Sequence, residues 1–465
     1  MSSPRPMPTR RDFCRTGLAA GAALAAPLRA IDPIERSVHH APRARAVIQL
    51  FMAGAPSSLD LFDDKPVLRK EDGDFGPEEI VRNQRFAFLK GRPRLLGSPF
   101  AFAPRGASGA LVSELLPHTA AVVDRLSFVR SVHQEQFNHG PAQVFANTGH
   151  QIVGRPSLGS WLLYGLGSDN RDLPGFVVMV SGKIDPGAGS ACWSSGFLPS
   201  QLGGVELRTR GDLVPCLKDP AGIDRAARRR GLDLLGDLNR RQFESTGDPE
   251  ILARTAAYEL AYRMQESVPE LADLASEPEH VHRLYGSDPG TRSFANNCLL
   301  ARRLVERGAR CVQLIHRGWD HHGSDHSDDL LHGLPNMCRQ TDRAAAALVL
   351  DLEQRGMLDD TLVVWGGEFG RTPMREVRNE KVLGRDHNPR AFTMWFAGGG
   401  VQPGRTIGTT DELGYDVVDD PVHLHDVHAT MLHLLGVDHE RLTYRFQGRD
   451  YRLTDVFGKV VGQLL

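Results

Sequence analysis

The feature that most constrains this chain is the spacing of its short apolar runs. "ARAVIQLFMAG" (residues 44–54), "LSFVRS", "GFVVMV", "CVQLI", "TLVVWGG" and "FTMWFAGGG" are each bounded by polar or Gly-rich residues. A continuous apolar run of this length suits a strand buried on both faces of a parallel sheet. Longer patterns of helical period lie between several of them, and that alternation predicts a doubly wound, mostly parallel α/β sheet flanked by helices. The best helices are residues 342–356, "DRAAAALVLDLEQRG", and the stretch "LHDVHATMLHLLGV" from near His425 to Gly436. The first has an acidic first turn and both stop at a glycine. Residues 220–310 are rich in helical pattern and charge and hold no core strand, so a helical insertion is expected within one domain over residues 31–465.

The N-terminal stretch "TRRDFCRTGLAAGAALAAPLRA" pairs Arg10 and Arg11 with Phe13 and then runs through small apolar residues. This is the pattern of a twin-arginine signal over residues 1–30, implying the twin-arginine translocase as a partner during export and a periplasmic or secreted protein. No segment approaches the roughly 20 apolar residues of a membrane-spanning helix. A net charge of -2 supplies no single-sign field, which argues against nucleic acid as a partner. Of six cysteines, Cys14 lies in the signal. Cys192, Cys216, Cys298, Cys311 and Cys338 contain no C-x-x-C pair, which excludes a zinc ribbon and a dithiol motif, and they are read mainly as core residues.

In open parallel sheets, ligands sit at the carboxyl ends of the strands, where loops and helix N-termini converge. The first strand is followed by "GAPSSLDLFD", with Ser57, Ser58, Asp60 and Asp63, and "LSFVRS" by a segment holding His133, Asn138 and His139. "CVQLI" leads into "GWDHHGSDHSDD", "TLVVWGG" into "EFGRTP" with Glu368 and Arg371, and "GRDHNP", with Asp386 and His387, precedes the last strand. Each segment carries oxygen or imidazole donors, the ligands of a divalent cation. Other roles are open for some of them. Asp60 can cap a helix, and His316 reads as a packed core residue. His423, His425, His428 and His433 read as helix-surface or capping residues. Asp325, His326, Asp328 and Asp329 read as residues that solvate a loop and start the next helix. Arg371 is either a clamp for an anionic oxygen or half of a buried ion pair.

"GWDHH", "RGMLDDTLVVWGGEFGRTP", "GRDHNP", "GRPSLGSWLLYGLG" and "HATMLHLLGVDHERLTYRFQGRDYRLTD" resemble a family of exported, sulfatase-like bacterial proteins of unknown function in the alkaline phosphatase superfamily. The likeness runs over nearly the whole chain after the signal and implies an alkaline phosphatase-like fold. It also implies a site of one or two divalent ions, Zn or Mn before Ca or Mg. Asp60 matches the first metal-binding aspartate, Asp320 and His322 an aspartate and histidine that share a metal, and His387 the last metal histidine. Glu368 takes the aspartate place of an Asp-His-Gly motif. His139 stands where sulfatases keep a nucleophile, nine residues before Thr148 and Gly149, and is read as ligand or base in preference to a covalent role.

The departures from the family pattern are specific. No cysteine lies in C-x-P-x-R, Phe369 replaces the histidine of Asp-His-Gly, and Asp320 and His322 are closer together than the usual pair, so His321 or His326 also remains a candidate ligand. The implied function is an exported metal-dependent hydrolase of phosphate, sulfate or related esters, with a small-molecule or glycan-linked substrate and His139, Asn138 and Arg371 at the reacting centre. The alternative is a non-catalytic, metal-containing protein that binds carbohydrate or a cell-surface polymer.

Overall fold

The computed structural model describes residues 38–465 apart from residues 83–85, 184–186, 209–212, 215–216, 218 and 221. The twin-arginine segment, Cys14 and Cys216 therefore lie outside the described residues. At the centre runs strand β1, Ala46–Ala53, with every residue buried. Its unbroken apolar sequence fits a strand covered on both faces.

Counting along the chain, the same sheet takes up β2 (Ser127–His133), β3 (Phe176–Gly182), β4 (Val205–Leu207), β5 (Cys311–Arg317) and β6 (Thr361–Gly366). A separate hairpin of β7 (Gly370–Glu376) and β8 (Gly384–Asn388) follows, and the sheet is completed by β9 (Phe392–Ala397), β10 (Thr406–Ile407) and β11 (Val422–His423). The nine strands run in the order β10-β2-β9-β6-β1-β5-β3-β4, with β11 also paired to β2. All neighbours are parallel except β9, which is antiparallel to both β2 and β6. Register is tight at the middle, where Ile48 stands between Val312 and Val363.

All six apolar runs form strands of this sheet. The β7–β8 hairpin was not expected, since "EFGRTP" and "GRDHNP" read as loops. Its residues are nearly all buried, yet its charged sequence carries no apolar alternation to mark it.

Helices α1 (His139–Thr148), α2 (Leu158–Leu166), α3 (Arg225–Thr246), α4 (Pro249–Ala272), α5 (Phe294–Glu306), α6 (Gly333–Gln354) and α7 (Leu424–Leu434) cover the sheet faces and its margin. Helix α6 begins nine residues before the expected Asp342, because Asp329 Oδ1 accepts from the backbone N–H groups of His332 and Gly333 and so starts the helix early. His425 and His428 differ from the expectation of surface residues. Both are buried, and their Nε2 atoms pair with the carbonyls of Gly149 and Ala146. Cys192, Cys298, Cys311 and Cys338 are buried free thiols. Among the described residues, no helix is long and apolar enough to cross a membrane.

Candidate metal centre

The carboxyl edge of the sheet is pulled together by two close approaches. Gly54, just past β1, has φ +111, and a Cβ there would lie 2.6 Å from the backbone nitrogen of Asp320. At Gly384, opening β8, a Cβ would lie 2.0 Å from the carbonyl carbon of His322. Only glycine lets these backbones meet. In this way the segment after β5 is wedged between the end of β1 and the β7–β8 hairpin.

Four side chains converge there: His139 at the first turn of α1, Asp320 and His322 after β5, and His387 on β8. Asp320 Oδ1 lies 2.8 Å from His322 Nε2, 3.2 Å from His139 Nε2 and 3.5 Å from His387 Nε2, while the Nε2 atoms of His322 and His387 are 3.0 Å apart. Ligands held ~2.0–2.1 Å from a tetrahedral ion stand ~3.3 Å from one another. The donor atoms already have that spacing.

The tautomers are dictated from behind. His139 Nδ1 faces Glu368 Oε1 at 2.7 Å, His322 Nδ1 faces Glu376 Oε2 at 2.5 Å, and His387 Nδ1 faces the carbonyl of Phe137 at 2.5 Å. Carboxylates and carbonyls only accept, so each Nδ1 carries a proton and it is Nε2 of each ring that is left to offer a lone pair to a cation at the common point. His139 Nε2 in turn faces Asp320 Oδ1 at 3.2 Å. Three lone pairs and a carboxylate oxygen repel one another unless a proton or a cation lies between them. The set therefore fits a single divalent ion, and its mixed nitrogen and oxygen donors suit Zn²⁺ and other transition ions.

The electrostatics agree. Burial alone would raise Asp320, but Arg371 and the three imidazoles hold its carboxyl well below the usual carboxylate range. Burial lowers His387 to about 3, with repulsion from Arg371 and His139 added, so its ring stays neutral. For His139 burial also disfavours charge, yet hydrogen bonds to Asp320 and Glu368 outweigh it and raise the pKa to about 9. The metal-free centre thus keeps a second proton on His139, at Nε2, at neutral pH. The Asp320 side chain is 35% exposed, whereas those of His322 and His387 are nearly sealed, so the centre opens on its Asp320 side.

Asp60, expected as a ligand, is not in this group. Both its oxygens are taken by Arg385, at 2.8 and 3.1 Å, and Ser57 adds a hydrogen bond at 2.5 Å. Asp60 and Arg385 are both fully buried, so the carboxylate already has its countercharge. Phe369, buried with Ala55 and Ala142, packs its ring 5.0 Å from His139 and 4.6 Å from His387. Around Asp60 and Phe369 the residues do not fit a second ion.

Glu368 stands one step behind the donors. Its Oε1 accepts from Gly54 N, Gln143 Nε2 and His139, which makes it the orienting partner of His139. Arg371 is the buried ion pair rather than a substrate clamp. Its donors go to Asp320 Oδ1 and to the carbonyls of Gly54, Ala55 and Arg385. Asn138 is exposed, and its side chain makes no capping bond to α1. His321 is buried under Gly333 with both ring nitrogens unpartnered, and His326 pairs with Asp329 and His332 at the surface, so neither belongs to the centre.

Sequence reasoning missed Glu376 and the Phe137 carbonyl, because partners of Nδ1 leave no spacing signal. Replacing Glu376 with Gln keeps its size but removes the charge on His322 Nδ1. Cation affinity is expected to fall by ~10–100-fold, the usual cost of an outer-shell partner. Competition with a chromophoric chelator measures it, and unchanged affinity would separate Glu376 from the centre.

Residues 44–465 match the family described as "Protein of unknown function (DUF1501)". No curated protein matches the chain. Among solved structures, a sulfatase from Pseudoalteromonas sp. is 13% identical over 93% of this chain and 73% of its own, with a TM-score of 0.35. A phosphonate monoester hydrolase from Silicibacter pomeroyi is 12% identical over 69% and 68%, with a TM-score of 0.32. The alkaline phosphatase of the Antarctic bacterium TAB5 is 10% identical over 78% and 94%, with a TM-score of 0.31.

Proposed function

The chain belongs to the DUF1501 family of proteins of unknown function, and from that premise we propose that it is an exported hydrolase of phosphate, sulfate or related esters that depends on one divalent cation. The observation that carries this reading is the convergence of three imidazole lone pairs and Asp320 on one point, with every tautomer fixed from behind. A cation bound there would polarise an ester oxygen and lower the pKa of water at the centre. His139, its ring oriented by Glu368 and next to the open side, is the donor that would hold the cation at the entrance to the centre. Asn138 and the first turn of α1 offer donors to the anionic oxygens of the ester. Arg371 positions Asp320.

The test is turnover on a panel of aryl phosphate, sulfate and phosphonate esters. His139→Ala, which removes one of the four donors, is expected to lower it by ~100-fold or more while circular dichroism stays that of the wild type. Full activity in the variant would remove His139 from the chemistry.

One observation favours the second reading, a metal-containing binding protein for a carbohydrate or surface polymer. The hydroxyls after β1 are already engaged, Ser57 with Asp60 and Ser58 with Thr393 N, and burial pushes the Cys192 thiol up to about 12. A bound cation with no turnover on any ester would select it.

Export by the twin-arginine translocase, to the periplasm or beyond, follows from Arg10 and Arg11. Changing both to Lys is expected to leave the precursor in the cytoplasm, read by fractionation, and undiminished export would assign another route.

A further inference from the structure

Beside the centre, separated from it by one layer of side chains, lies a cleft of about 650 Å³. One wall is residues 88–94 and the other is the end of β7 with residues 377–380. The two are tied together, since Arg375 N donates to the Arg94 carbonyl and the backbone N–H groups of Phe88 and Leu89 both donate to Asp386 Oδ2, next to His387. Phe88 sets its ring edge-on to His322 at 5.0 Å and to His387 at 5.5 Å.

Five cationic side chains line this cleft against two acidic ones, in a chain whose net charge is -2. The cations are anchored and only partly neutralised: Arg378 pairs with Glu376 and Arg375 lies 3.8 Å from Glu380, whereas the partners of Arg92 and Arg94 among the described residues are carbonyls. Arg92 Nε donates to the Gly76 carbonyl and Arg94 to the Gly73 carbonyl, and both guanidinium groups lie over the Phe75 ring. Arg375 donates to the carbonyls of Glu380 and Val382, and its Nε is buried with no partner. Arg378 is held over Phe88 and pairs with Glu376, the carboxylate that also orients His322. Neutral carbonyls fix the geometry of a guanidinium and leave its charge for another anion, and a fixed planar fork suits sulfate, phosphate or carboxylate oxygens.

We infer that this cleft is a binding subsite for the acidic groups of an anionic saccharide, whose reacting ester then reaches the centre. The inference rests on the hydrolase reading for that last clause alone. The volume is that of an ordinary ligand site, enough for a short oligosaccharide. Nucleic acid is the weaker fit, because the faces on which bases would stack are covered by Arg92, Arg94 and Arg378.

The experiment uses the mature protein with its cation and a fluorescent dextran sulfate oligomer, with neutral dextran and a single-stranded DNA of equal charge as the other arms. Dextran sulfate is expected to bind with an affinity that falls as salt rises, and neutral dextran not to bind. Lys90→Glu with Arg92→Glu and Arg94→Glu, all exposed and none in contact with the four donors, is expected to weaken that binding by at least ~tenfold at low salt. Its cation content should equal that of the wild type, which shows the centre is intact. Unchanged dextran sulfate binding in this variant, or equally tight binding of the DNA, would overturn the proposal. If the wild type holds no cation but the triple variant still loses dextran sulfate, the hydrolase reading fails and the cleft stands.

Discussion

The Asp60→Asn variant is expected to lose about 3–5 kcal/mol of unfolding free energy while keeping its cation. The change is nearly isosteric, yet it leaves Arg385 fully buried without its carboxylate partner. Desolvating a guanidinium without a countercharge is the costly half of a buried pair, and the remaining bonds of Arg385, to the carbonyls of Leu96 and Thr372, carry no formal charge. The same variant decides between two readings of Asp60. A ligand changed to Asn would lower cation affinity, whereas an ion-pair partner changed to Asn lowers stability. Urea unfolding of the metal-loaded protein and elemental analysis of the folded protein give the two numbers. Loss of the cation at unchanged stability would return Asp60 to the metal centre.

His387→Ala should reduce the bound cation from one per chain to nearly none, a larger loss than the ~10–100-fold expected for an outer-shell partner. It removes one of four converging donors, and Phe369 packed on the same ring offers no replacement. In the wild type, binding has a pH signature. His139 titrates near 9 in the metal-free protein, so below that pH a cation must displace its proton. Affinity should rise about tenfold per pH unit from pH ~7 and level off above ~9. Calorimetry in buffers of different ionisation enthalpy should show about one proton released per cation near neutrality. A pH-independent affinity over that range would show that His139 is not protonated in the empty centre.

The sign for folding is opposite. A pKa raised above the ordinary histidine value stabilises the metal-free fold fully below about 6.5, and that stability is lost as pH rises towards 9.

What was legible in the sequence followed from periodicity. Two-faced strands such as Ala46–Ala53 have no other apolar reading, and polar residues just past their carboxyl ends have few structural duties. The segments that hold Asp320, His322 and His387 were marked by their place beside strands, and the family resemblance implied which of their residues would be ligands. Asp60 shows the limit of the method, since it occupies an equivalent place after β1 but its partner Arg385 lies on a hairpin without apolar pattern. The same blindness hid Glu376 and assigned Arg371 a choice of roles, because which charge a buried charge meets is a property of tertiary register. That His139 and Arg371 meet the same oxygen of Asp320 could not be read from the sequence alone.

The four converging donors come from residues 139 to 387, and one of them lies on the β7–β8 hairpin, outside the main sheet. Contacts between such distant segments pay a loop-closure cost before they reward it, and they form late. The complete donor set is therefore not available to a nascent chain, because His387 has not yet been made when His139 and Asp320 emerge. If a cation is held at this centre, full occupancy would report that these distant segments have met.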